Sequence, residues 1–226
     1  ARIAGAVGVP VIADADTGYG NETNIARTVA LYERAGVAAL HIEDQDWPKR
    51  CGFLEGKRVI PAGEMVLKVR AAVAARTSPD LVIIARSDAY QPNGWDDAIA
   101  RLRDYRAAGA DMVFMDGLKT REDVERAAVD LAGVPQLLNS WLVTPEEANR
   151  LGFAVYIHLG LMLRHFSDFR RALEELRDSG RVHVPEADLS VEPVTRLLRR
   201  DAAWTCTAIA AFYRIDGRSG TFAGTI

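Results

Sequence analysis

A chain of 226 residues, 49% hydrophobic and 26% charged, can bury a substantial core without disulfides or structural metal. Its formal net charge of −3 argues against nucleic acid or an anionic membrane as partner, and its longest apolar runs are too short to span a bilayer. Two cysteines far apart, with no secretion signal in view, fit a reducing cytoplasm rather than a disulfide framework.

The opening "ARIAGAVGVPVIAD" reads as the end of a helix running into a strand, with a preceding segment expected before Ala1. Short apolar runs rich in Val, Ile and Leu then predict strands at 9–16, 37–44, 80–88, 111–116, 134–140 and 153–159. Between them, segments that begin at an Asn, Thr or Pro cap or a Gly, and end near a glycine or a basic residue, predict helices. These cover 21–36, 61–76, 94–109, 120–133 and 144–152, and a last one spans 167–180. Repeated strand–helix units imply an α/β fold with right-handed crossovers and a parallel sheet. No linker or low-complexity tract divides the chain, so residues 1–226 read as a single domain. No glycine-rich dinucleotide fingerprint follows any strand, which favours a barrel over an open doubly wound sheet. Six strands are visible where a closed barrel needs eight, so the barrel reads as lacking its first two strands in this chain.

Polar residues gather at the C-terminal ends of the strands. Asp14 and Asp16 close the first, His41 and Glu43 the second, and Arg86 and Asp88 the third. A side-chain period of two puts each pair on one face. Clustered carboxylates repel one another unless a cation neutralises them, and hard oxygen donors suit Mg²⁺, with Mn²⁺ as an option. Asp14, Asp16 and Glu43 are therefore candidate metal ligands. A single acid at a strand end is more often a cap or a loop residue, and His41 is either a packed histidine or a substrate contact. Arg86 follows four apolar residues, so a ligand carboxylate or an acidic neighbour is expected beside it.

The segments "DADTGYGN", "HIEDQ", "PKRCG…EGK", "IIARSDA" and "GWDDAIARLRDYRAAGAD" together resemble the isocitrate lyase / phosphoenolpyruvate mutase superfamily over residues 1 to about 180. Within it the sequence is most similar to the short lyases, including 2-methylisocitrate and 2,3-dimethylmalate lyase, and to the carboxyphosphonoenolpyruvate mutase group. The resemblance implies a (β/α)8 TIM-type barrel that forms a homo-oligomer (tetramer, or dimer), with a C-terminal helical segment from about residue 185 exchanged between subunits. It also implies Mg²⁺ at Asp14 and Asp16, and a water-holding carboxylate at Glu43. Arg86 would grip a substrate carboxylate, with Gly52, His41, Asp116 and Asn139 as further substrate contacts. Cys51 would be the catalytic acid on a gating loop, its thiolate favoured by Lys49, Arg50, Lys57 and Arg58.

The implied reaction is Mg-dependent cleavage of a carbon–carbon bond in a 2-hydroxydicarboxylate-type small molecule, giving a 2-oxo acid and a carboxylate through a carbanion. A mutase or an oxaloacetate decarboxylase on the same site is the alternative reading, and a non-catalytic degenerate barrel is another. Two departures bear on substrate: Phe53 stands where the lyases carry histidine, and Asp116 where they often carry glutamate. The segment after Asn139 is shorter than the glycine-bearing loop of many relatives. Cys206 lies in an apolar context and reads as structural.

Overall fold

The computed structural model describes residues 1–52 and 54–183, together with the backbone of 213–214. The expectations for Phe53, for Cys206 and for a helical segment from about 185 lie outside the described residues.

All six predicted strands form, trimmed at their ends. They are β1 (Ile12–Asp14), β2 (Ala39–Glu43), β3 (Val82–Ser87), β4 (Met112–Met115), β5 (Gln136–Asn139) and β6 (Val155–Ile157). The helices are α1 (Arg2–Ala6), α2 (Glu22–Arg34), α3 (Ala62–Ala75), α4 (Tyr90–Asn93), α5 (Trp95–Ala107), α6 (Arg121–Asp130), α7 (Pro145–Arg150) and α8 (Gly160–Ser179). Asn21, Thr120 and Thr144 each close a capping box at the start of α2, α6 and α7, which satisfies backbone N–H groups that the helix cannot. The boundary between the last strand and the last helix departs furthest from the sequence expectation. The last strand stops at Ile157, and α8 begins at Gly160 rather than near residue 167. The run "GLML" is apolar enough for a strand, but it belongs to a longer helical pattern. Met162, Phe166, Phe169, Leu173 and Leu176 recur at steps of three and four along one exposed face of α8.

The six strands are parallel and lie in consecutive order, each paired with the next, so the winding never reverses as it would at the switch point of a doubly wound sheet. A short strand, β7 (Tyr213–Arg214), pairs antiparallel with β6 and has no counterpart among the sequence expectations. Among the described residues β1 and β7 are the two edges of the sheet.

Strand parity sorts the side chains. Leu40, Ile42, Ile83, Ala85, Val113 and Met115 face outward and pack on α2, α3 and α5 through Ile25, Val29, Met65, Val69 and Leu102. The opposite parity faces inward, where Ala39, Ile84, Phe114 and Leu137 form a separate apolar layer with Ile12, Val82, Met112 and Val155. Two residues further along the same strands that inner column becomes polar, with Asp14, His41, Arg86, Asp116 and Asn139, and Glu43 follows His41 at the next inward position. The apolar layer is thus the floor of a polar rim, and the rim lies at the C-terminal strand ends, where barrel enzymes carry their chemistry.

Candidate active site

Asp14 ends β1, with its carboxylate half-exposed and 3.7 Å from His41 Nδ1. Asp16 does not continue the strand. Its φ of 48° is left-handed; its N–H donates to Asp14 Oδ1 at 2.8 Å, and its carbonyl accepts from Glu43 N–H at 2.8 Å. A turn, not the strand period, brings the second carboxylate back to the rim. Lys49 Nζ lies 2.7 Å from Asp16 Oδ1 and 3.6 Å from Glu43 Oε1. His41 is buried edge-on against Phe114; burial lowers its pKa, and its Nδ1 has no hydrogen-bond partner.

Glu43 and Arg86 are register neighbours across β2 and β3, and Arg86 Nε stands 3.4 Å from Glu43 Oε2. Arg86 donates through Nε and Nη2 to both oxygens of Asp88, at 2.8 and 2.9 Å, and Nη2 is 3.3 Å from Asp116 Oδ2. Its guanidinium also covers the Phe114 ring at 5.0 Å. Lys57, buried, donates to Asp88 Oδ1 at 3.0 Å and Asp116 Oδ2 at 2.9 Å. The four groups form a buried set of two cations and two anions. Burial pushes the Asp88 carboxyl up, but the hydrogen bonds and charge of Arg86, with Lys57, outweigh it and hold the pKa at about 2. Asp116 shifts the other way: burial raises it, and the nearby Asp88 charge adds to that.

Behind the rim, Asp44 has the opposite parity to Glu43 and points to the helices. It accepts from Ser87 Oγ at 2.7 Å, Asp88 N–H at 2.8 Å and Tyr105 Oη at 2.8 Å. Arg101, on α5, donates to the Ile60 carbonyl at 2.8 Å. This network fixes the end of β3 against α5, and hence the backbone that carries Arg86 and Asp88.

The cysteine loop lies over this cluster. Cys51 is a free, exposed thiol. A Cβ on the adjacent Gly52 would fall 2.4 Å from Asp116 Oδ2 and 2.8 Å from Arg86 Nη2, so only glycine allows this approach. The four loop cations expected beside the thiol are engaged elsewhere. Lys49 pairs with Asp16, Arg58 with Asp46 at 3.0 Å, and Lys57 with Asp88 and Asp116, while Arg50 reaches the Glu55 carbonyl at 3.3 Å.

Next to Gly52 and Asp116, a cavity of about 220 Å³ is bounded by Leu118, Lys119, Asn139 and Leu142. Asn139 ends β5, and its buried Oδ1 has no partner. The structure therefore brings Gly52, Glu43, Arg86 and Asp116 into one cluster. Asp14, Asp16 and His41 flank it on one side, and Asn139 lies across the cavity on the other. Sequence reading missed Lys57 and Asp44 as members. Lys57 carried no local signal beyond its charge, and Asp44 was legible only through its opposite strand parity.

Glu43 is fully buried, and neither carboxylate oxygen has a hydrogen-bond partner. Burial raises its pKa from 4.5 to about 7, against the opposing charges of Arg86 and Lys49. The folded state thus keeps a proton that the unfolded chain releases, and in metal-free protein stability falls as pH rises from about 4.5 to about 7. Glu43→Gln is expected to remove that slope, gaining on wild type by on the order of 2–3 kcal/mol in urea melts across the interval. Parallel pH profiles for the two proteins would exclude a raised Glu43.

Among the described residues no group of three His, Cys, Asp or Glu is assembled to hold a metal. Mg²⁺, however, commonly takes only one or two carboxylates and completes its shell with water and substrate oxygens. The carboxylates of Asp14 and Asp16 fit that requirement, and the unpartnered oxygens of Glu43 can accept from a metal-bound water. No helix among the described residues is long and apolar enough to cross a membrane.

The phosphoenolpyruvate phosphomutase family model matches residues 1–177. A probable 2-methylisocitrate lyase of Corynebacterium glutamicum is 39% identical over 186 residues, which are 79% of this chain and 61% of that protein. A crystal structure of 2,3-dimethylmalate lyase, a PEP mutase/isocitrate lyase superfamily member, is 40% identical with a TM-score of 0.72, covering 83% of this chain and 65% of that one. Phosphonopyruvate hydrolase in complex with oxalate and Mg²⁺ is 29% identical with a TM-score of 0.72, covering 87% and 71%. The chain spans about half the length of the curated relatives it matches.

Proposed function

The chain belongs to the phosphoenolpyruvate phosphomutase family, and from that membership we propose that it is a Mg-dependent carbon–carbon lyase. Its substrate is a 2-hydroxydicarboxylate of the methylisocitrate or dimethylmalate type, and its products are a 2-oxo acid and a carboxylate. The observation that carries this reading is the seating of Gly52, next to a free cysteine, directly on the Arg86–Asp116 pair.

Asp14 and Asp16 would hold the metal, with Glu43 holding a water bound to it. Bound there, Mg²⁺ supplies Lewis-acid stabilisation of the negative charge that develops on the forming 2-oxo acid. Arg86 binds a substrate carboxylate through its guanidinium, which Asp88 orients. Glu43, buried beside Arg86, is placed to take up the substrate hydroxyl proton. As the C–O π bond of the 2-oxo acid forms, the C–C bond breaks and its electron pair leaves on the carbon next to the second carboxylate. The Cys51 thiol gives that carbon its proton. Closure of the loop over bound substrate would exclude water, so that the carbanion is not quenched elsewhere. Asn139 and the cavity beside it bound the departing fragment.

The same reading assigns the enzyme to the cytoplasm, which suits a free catalytic thiol, and to a homo-oligomer, dimer or tetramer. The exposed apolar face of α8, with Met162, Phe166, Phe169 and Leu173, supports the second assignment.

The test is a side-by-side assay of 2-methylisocitrate, 2,3-dimethylmalate, oxaloacetate and phosphonopyruvate. Release of a 2-oxo acid from one of the first two is expected, abolished by EDTA and restored by Mg²⁺. Turnover of only oxaloacetate or phosphonopyruvate would replace the lyase reading with a different reaction.

A further inference from the structure

The cysteine loop is held at two levels. At its stem, residues 44–46 run against 58–60: Ile60 N–H donates to the Asp44 carbonyl at 2.9 Å, Asp46 N–H donates to the Arg58 carbonyl at 2.8 Å, and Gln45 bridges to Val59. The Gln45 amide extends this stem, donating to the Arg50 carbonyl and accepting from Arg50 N–H, both at 2.9 Å. Nearer the tip, Lys57 Nζ donates to the Gly52 carbonyl at 3.0 Å. The same ammonium donates to Asp88 and Asp116, so its three donors meet acceptors from the loop, from the end of β3 and from the end of β4.

We propose that Lys57 is a positioning residue that fixes the Cys51–Gly52 segment on the Arg86–Asp116 pair by tying the Gly52 carbonyl to Asp88 and Asp116. An ammonium suits this post because it is compact and its three donors diverge, whereas a guanidinium presents a flat fork. Its charge is already matched by the two carboxylates, so it contributes little to the attraction of a distant anion. What it supplies is place. The tie itself stands on the geometry alone; its consequence, that Cys51 is delivered to the substrate, rests on the lyase reading.

Hydrogen–deuterium exchange on the full chain tests the tie without any substrate. Lys57→Met keeps the length of the side chain but removes its donors. Lys57→Met combined with Asp116→Asn does the same while leaving the buried set without a surplus negative charge. Amides of residues 51–52 and 54–56 are expected to exchange at least tenfold faster in both variants, with those of β2 and β3 and of the 44–46/58–60 stem unchanged. Unchanged exchange at 51–52 and 54–56 would overturn the proposal. So would faster exchange throughout β2 and β3 in the double variant, since Lys57 would then be holding the core rather than the loop. If the single variant alone loosens the core, the double variant decides. Because no turnover is measured, failure of the lyase assay leaves this result standing, and the reverse holds too.

Discussion

Cys51→Ala is expected to lower kcat by about 10²–10⁴-fold, the range for loss of a positioned general acid, while leaving the melting temperature unchanged. The two halves of this expectation have separate causes. Cys51 is exposed, so its truncation leaves no cavity and strands no buried polar atom; such changes usually stay within about 0.5 kcal/mol. The thiol is nonetheless held beside the cluster, because Gly52 sits on Asp116 and Arg86 with no room for a side chain. Steady-state kinetics with a substrate identified in the panel assay, alongside thermal melts, would measure both halves. Undiminished turnover in the alanine variant would remove Cys51 from the mechanism.

Arg86→Met is expected to abolish turnover and also to destabilise the fold by about 3–5 kcal/mol, a fall in melting temperature on the order of 10 °C. Removing this cation leaves Asp88 and Asp116 with Lys57 alone, and leaves Glu43 with only Lys49 at 3.6 Å. Buried carboxylates without a matching cation must either protonate or pull in water, and both cost stability. Calorimetry near neutral pH reads the effect directly. A variant that melts with wild type would mean that Asp88 and Asp116 already hold a shared proton, and the charge balance described above would be wrong. Exposed ion pairs give the contrast: neutralising Arg121, which pairs with Glu125 and Glu147 on the surface, is expected to leave the melting temperature close to that of wild type.

The sequence by itself determined the order of strands and helices, because period-two apolar runs and capped amphipathic segments are local properties. It also determined which side chains share the inner rim. Asp14, His41, Glu43, Arg86, Asp116 and Asn139 stand at even steps from the apolar floor formed by Ile12, Ala39, Ile84, Phe114 and Leu137, and parity needs no tertiary information. Asp16 is the exception, since its carboxylate returns to the rim through a left-handed turn rather than along a strand. Only the tertiary structure decided what the charges do. Lys57 reads locally as one more cation of a basic loop, yet its partners lie 31 and 59 residues away. Glu43 acquires its raised pKa from burial contributed by neighbouring strands, and Asp88 its lowered one from Arg86 and Lys57. Strand parity is written in the backbone period, whereas burial and pairing are sums over neighbours that the chain assembles only when it folds.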